Sequence, residues 1–168
     1  NEFAQQQEWR INHELDWHLL GQKQHSGIEA AHRDLNHYYK HIPALHQLDF
    51  VSEGFHWIDC QDADHSVISY MRYTKDGSFV LVILNFTPVP RTGYRIGVPT
   101  TGIYREIFNS DSAYYGGSNI GNAGNITSMQ IPWMGFPDSI AITLPPLAGI
   151  IFSLQDPYEN TAERKKEF

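Results

Sequence analysis

Cysteine is almost absent: Cys60 is the single one in 168 residues. An intrachain disulfide framework cannot form, and a Cys-rich zinc site is excluded. No basic side chain neighbours Cys60 in sequence to draw out a thiolate, so it reads as a core or sheet-edge residue. Positive charge is also scarce. Twelve Lys and Arg face nineteen Asp and Glu, for a net charge of −7. Nucleic acid and anionic membrane surfaces both need a positive field, so neither is expected as a partner. Long apolar runs are missing as well: the longest, residues 79–84, is far short of the roughly 20 residues that span a bilayer. No basic-then-apolar stretch opens the chain, so no secretory leader is expected. The sequence also lacks a P-loop, a Gly-x-Gly-x-x-Gly, a Gly-x-Ser-x-Gly and a His-Glu-x-x-His.

What is present points to one core with an appendage. The chain is 41% apolar and 13% aromatic, with four Trp. That suits a thick sheet core or a sugar-binding face. Composition changes near residue 50. Most histidines (His13, His18, His25, His32, His37, His41, His46) come before it, and most glycines fall between Gly93 and Gly135. Residues 1–25 show no period, although Trp9 and Trp17 need a surface to lie against. Ser26-Gly27-Ile28-Glu29 fits a capping box and predicts a helix from Ser26. Its apolar stripe would hold Ile28, Leu35, Tyr38 or Tyr39 and Ile42, and it should stop before Pro43. From residue 55 onward, short β-rich runs alternate with turn residues. Strands are expected at 55–59, 67–73, 79–85, 94–98, 104–109, 126–131, 140–144 and 150–154, with a hairpin at 74–78. Their spacing predicts a mainly β fold: an antiparallel sandwich preceded by a loop and one helix.

Few groupings suggest chemistry. Glu2, Glu8, Glu14 and Asp16 crowd the first residues. Retaining glycoside chemistry needs two carboxyl groups about 5–5.5 Å apart, and solvated loop acids are the simpler reading. His37 and His41 share a helix face but have no third ligand in reach, so no metal is expected. Asp59, Asp62 and Asp64 lack the glycine and distal glutamate of a calcium loop and read as turn formers. The Asn/Gly/Ser loop at 109–125 contains Tyr114 and Tyr115, which could contact a sugar; the same composition serves turns that need positive φ. Asn85-Phe86-Thr87 and Asn125-Ile126-Thr127 match the glycosylation sequon and read as idle matches.

Several longer stretches carry a resemblance. Asn1-Glu2-Phe3-Ala4-Gln5, Glu8-Trp9 and Leu15-Asp16-Trp17-His18-Leu19-Leu20 resemble the segment after the eighth barrel strand of bacterial glycogen (1,4-α-glucan) branching enzymes. Arg33-Asp34-Leu35-Asn36, Ala44-Leu45-His46-Gln47-Leu48-Asp49-Phe50 and Gly54-Phe55-His56-Trp57-Ile58 continue it in order. Asn85-Phe86-Thr87-Pro88-Val89-Pro90-Arg91 is the most distinctive piece. Asn109-Ser110-Asp111-Ser112, Gly117-Ser118-Asn119 and Leu144-Pro145-Pro146-Leu147-Ala148 complete it.

The resemblance implies the α-amylase superfamily plan, a (β/α)₈ catalytic barrel followed by an all-β domain. Residues 1–49 would be the tail of the barrel, 50–156 the β domain and 157–168 a charged tail. It implies a cytoplasmic, cofactor-free enzyme of glycogen synthesis that makes α-1,6 branches by retaining chain transfer. The carboxylates that do this would lie upstream of Asn1, so no catalytic residue is expected here and the chain alone should be silent. Asn1, Glu2, Trp9 and Trp17 would border the pocket of the whole enzyme. Tyr114, Tyr115 and Trp133 are candidate surface contacts to glucan. Expected partners are α-glucan, the catalytic barrel of the same polypeptide, and a second copy through the orphaned helix. One alternative is an autonomous carbohydrate-binding module, which needs an exposed coplanar pair among Trp57, Trp133, Tyr114 and Tyr115. The other is the C-terminal domain of a related amylase-type hydrolase, which residues 15–20 and 85–91 disfavour.

Overall fold

The computed structural model describes residues 2–8 and 10–155. Among them, one helix, α1 (Lys23–His41), precedes eight strands. These are β1 (Phe55–Asp59), β2 (Val67–Tyr73), β3 (Phe79–Asn85), β4 (Arg91–Val98), β5 (Ile103–Asn109), β6 (Asn125–Thr127), β7 (Asp138–Leu144) and β8 (Ala148–Leu154). Six form one sheet in the order β1-β2-β3-β8-β5-β6, and β4 pairs with β7 in a second. Every pairing is antiparallel. The expected sandwich is therefore present, with one broad layer and one narrow layer.

The apolar run at 79–84 falls on the strand that is covered twice. Alternate side chains of a strand point to opposite faces. Leu81 and Ile83 join Met71, Ile96, Tyr104, Ile140 and Phe152 in the core between the sheets. Val80 and Val82 join Ala44, Phe108 and Ile151 on the outer face, under Tyr38 and Ile42. A strand buried on both faces has no polar face to alternate with. On β2 the alternation survives: Val67, Ser69 and Met71 are buried, and Ile68, Tyr70 and Arg72 only partly so.

Helix α1 starts earlier than the capping box predicts. Ser26 lies inside the first turn, and its hydroxyl donates back to the carbonyls of Gln22 and Lys23, at 3.2 Å each. A 3-10 turn, Trp17–Gly21, runs directly into the helix, with the Gln22 amide bonded to the Leu19 carbonyl and the Ser26 amide to the Gln22 carbonyl. The upstream turn thus fills the positions that a capping serine would serve. The far end is as expected: Ile42 is extended (φ −103, ψ 102) just before Pro43. The buried stripe also differs. Leu35 stays exposed, while Gly27 and Ala30 are buried. A Cβ at position 27 would lie 2.1 Å from the Tyr115 carbonyl oxygen, so the helix approaches the 113–116 turn through its smallest residue. The helix folds back on the sheet: Tyr38 donates to the Ile107 carbonyl at 2.8 Å, and its ring meets Phe108 edge-on.

Five strands differ from expectation. β5, β7 and β8 begin one or two residues early, at Ile103, Asp138 and Ala148, because pairing with Thr127, Val98 and Asn85 carries the ladder that far. β4 begins at Arg91, three residues early, because a bulge between Arg91 and Tyr94 with Gly93 at φ 69 interrupts the pattern. The predicted 126–131 strand is divided between the sheets. Ser128 donates to the Gly102 carbonyl, and Met129 then exchanges both backbone bonds with Ser139 of β7.

Candidate functional site

The loop that joins β5 to β6 is held almost entirely by its own polar side chains. Asp111 accepts from the Ser118 amide and hydroxyl and from the Ile120 amide, at 2.6–3.1 Å. Asn109 donates to Glu106 at 3.2 Å and to the Ile120 carbonyl at 2.9 Å. Asn122 donates to Glu106 at 2.6 Å and to the Thr143 carbonyl at 3.0 Å, and accepts from the Thr143 amide at 2.7 Å. Asn119 takes φ 62 and Ala123 φ 49. The Asn-rich composition is therefore used for turns and side-chain crosslinks. A polar hollow of about 350 Å³ opens beside it, lined by Glu106, Ser112, Tyr114, Asn119 and Asn122.

Tyr115 is the hinge pin between this loop and α1. Its hydroxyl donates to Asp34 at 2.8 Å. Burial first, and the bonded Asp34 carboxylate second, push its ionisation well above the usual tyrosine range, so it stays a neutral donor. Tyr114 is 67% exposed and meets Tyr115 at 5.2 Å with a 70° interplanar angle. Trp133 is 46% exposed, on a tight turn where residues 133 and 136 exchange backbone bonds and Met134 and Gly135 take positive φ. Trp57 is 47% exposed on the outer face of β1, edge-on to Phe55 and to Tyr70. These rings are accessible, but the Tyr114–Tyr115 pair is not coplanar, and Trp57 and Trp133 make no ring contact with each other.

The candidate residues of the first segment divide. Asn1 and Trp9 lie outside the described residues, as does the predicted charged tail. Trp17 is exposed but stacks on buried Phe3 at 5.4 Å, 27° from parallel. The Phe3 carbonyl is bonded by the His25 ring at 2.8 Å. Glu2 lines an open cleft of about 480 Å³ with Glu29, His32, Arg33, His37 and His41. A retaining acid needs a carboxyl pushed up. Glu2 is instead held below the usual range, chiefly by a backbone amide, and Glu29 is paired with Arg33 at 3.0 Å. Asp49, Asp62 and Asp76 also shift down.

The other groupings are structural. His37 and His41 stack at 4.0 Å, and no group of three or more metal-ligating side chains occurs among the described residues. Asp59 accepts from the Gln61 amide and Asp62 from the His65 amide, as turn formers do. Cys60 is exposed beyond the end of β1. The sequon residue Asn85 is buried and fully bonded. Sequence reasoning missed the Tyr39–Asp49–Arg72 cluster, in which Asp49 accepts from Tyr39 at 2.6 Å and pairs with Arg72. Nothing in the spacing of those three residues signals it.

The family model for "Alpha amylase, C-terminal all-beta domain" matches residues 57–155, from within β1 to the end of β8. The chain belongs to that family. As an α-amylase C-terminal all-β domain, it is similar to three curated proteins called 1,4-alpha-glucan branching enzyme GlgB. That of Nitrosomonas europaea is 62% identical over 93% of this chain and 21% of its own length. That of Nitrosomonas eutropha is 66% identical over 90% of this chain and 21% of its own. That of Methylobacillus flagellatus is 58% identical over 90% and 21%. The chain thus spans about a fifth of the length of these relatives. A solved α-amylase from H. orenii overlaps 76% of this chain and 20% of its own, with a TM-score of 0.46 at 17% identity. No helix among the described residues is long and apolar enough to cross a membrane.

Proposed function

We propose that this chain is the C-terminal part of a bacterial 1,4-α-glucan branching enzyme, cytoplasmic, acting in glycogen synthesis. The observation that carries the reading is 62% identity to such an enzyme along 93% of the chain. In this reading, residues 1–49 are the end of a catalytic barrel and 50–156 the β domain that buttresses it. Catalysis is retaining transfer of an α-1,4-linked glucan segment to a 6-hydroxyl, by carboxylates upstream of residue 1. Four features support a supporting role for this part. Its shifted carboxyls all move down, its loop polar groups are tied internally, its strand β3 is covered on both faces, and its first residues pack on Trp17 and α1. Glu2 and Trp17, with Asn1 and Trp9, would border the barrel's pocket. Exposed Tyr114 and Trp133, with Tyr115 beneath, would meet glucan chains. Leu35 and Tyr39, exposed on α1, offer a surface for a second copy. The test is expression of the complete reading frame that contains this chain, assayed on amylose. A fall in iodine absorbance together with new α-1,6 linkages by NMR supports the reading. Reducing ends without branches would point instead to a hydrolase.

A further inference from the structure

We propose that the hollow under Tyr114 is a subsite for a glucosyl residue of an α-1,4-glucan, a proposal that rests on the glucan reading above. The hollow is concave, about 350 Å³, and polar, where the larger clefts of this domain are mostly apolar. Its walls are pre-organised, which limits the entropy lost when a ligand binds. Glu106 is fixed by three N–H donors: the Asn109 side chain and both the amide and side chain of Asn122. Asn122 is fixed in turn by Thr143.

The groups left free match a hydroxyl-rich ligand. Asn119 uses its carbonyl oxygen on the Ala113 amide, which leaves its two N–H donors unbonded. Ser112 accepts from the Tyr114 amide and keeps its hydroxyl proton. The Tyr114 hydroxyl makes no bond, and its ring is held by the edge-to-face contact with Tyr115, itself anchored to Asp34. An aromatic ring beside amide, hydroxyl and carboxylate groups suits the apolar face and polar rim of a hexose. Glu106 and the chain's net charge of −7 disfavour an anionic ligand, so the sugar is neutral. The Trp133 turn is a weaker candidate, because Ile131, Pro132, Met134 and Phe136 around it are apolar and Gln130 is its one amide side chain.

The experiment is native electrophoresis of the 168-residue chain through gels containing soluble amylose, dextran or no polysaccharide. Amylose is expected to retard the wild-type chain, and dextran is not. Tyr114→Ala should weaken binding about tenfold, or ~1.4 kcal/mol. Asn119→Ala should weaken it in the same direction. Phe86→Ala, which removes an exposed ring outside the hollow, should migrate as wild type. Circular dichroism melts show whether each variant is folded; Tyr114 and Asn119 are exposed, so both should be. A wild-type chain that amylose does not retard overturns the proposal, as does equal retardation by dextran. Retardation abolished by Trp133→Ala but not by Tyr114→Ala removes this subsite and leaves the glucan reading standing. The branching assay on the complete reading frame tests that reading separately.

Discussion

Asn85 donates its side-chain amide to the carbonyls of Val89 and Pro145, at 3.0 and 2.9 Å, and accepts from the Thr87 amide and hydroxyl. It is 2% exposed, where β3 leaves the broad sheet for β4 of the narrow one. Asn85→Ala strands two carbonyls, so it should cost about 2–4 kcal/mol. For a chain of this size, that lowers Tm by about 4–16 °C. A melt unchanged within error would contradict the role. Gly27 gives a sharper test, because two effects compete. Alanine favours a helix interior by about 1 kcal/mol over glycine. A Cβ at position 27, however, meets a backbone oxygen at 2.1 Å. The clash should win, so Gly27→Ala should lower the urea midpoint. Gly21→Ala, with nothing within 4 Å, should leave it nearly unchanged. At this scale the sequence was a partial guide. The Asn85 motif stood out as distinctive, but its meaning was not readable, because Pro145 lies 60 residues away. Gly27 looked like filler inside a capping box, because the Tyr115 carbonyl that demands it is also remote.

The helix is fastened to the sheet by few elements. Near its middle, Asp34 accepts from Tyr115; further along, Tyr38 donates to Ile107, and Tyr39 and Arg72 converge on Asp49. The Tyr39 hydroxyl and then Arg72 hold the Asp49 carboxyl below its ordinary 3.8. A carboxyl with a depressed folded value contributes stability above the unfolded value and loses it as pH falls through the folded one. Asp62 behaves alike, since bonds from Tyr94 and His65 outweigh its burial, and so does Asp76, bonded by Thr74. Thermal stability should therefore hold above about pH 4 and decline below it. Asp49→Asn should flatten that decline; an unchanged acid limb would contradict the linkage. Strands were the most legible elements. β1, β2 and β3 have the expected bounds, since each pairs with its neighbour through a local turn. β5, β7 and β8 begin only one or two residues early, and the larger misplacements sit where the chain is bulged at Gly93 or changes sheets at Ser128. Neither event leaves a periodic signal.

On the scale of the whole molecule, a six-stranded sheet carries a second sheet on one face and a helix on the other. Repeated short strands foretold the sandwich. The division into six and two strands was not legible, because it follows from β8 inserting between β3 and β5, a long-range choice. The candidate site was less legible than the fold. Tyr114 and Trp133 were found as exposed rings, but Glu106 was not found, since its place in the hollow depends on Asn122 sixteen residues away. Size-exclusion chromatography with light scattering should show concentration-dependent self-association through Leu35 and Tyr39, weakened by Leu35→Glu. A strict monomer at high concentration would remove that surface. The most direct measurement incubates the purified 168-residue chain alone with amylose and follows iodine absorbance and α-1,6 proton signals. The chain is predicted to leave both unchanged while remaining folded. New α-1,6 branches made by the chain itself would contradict a domain whose chemistry resides elsewhere.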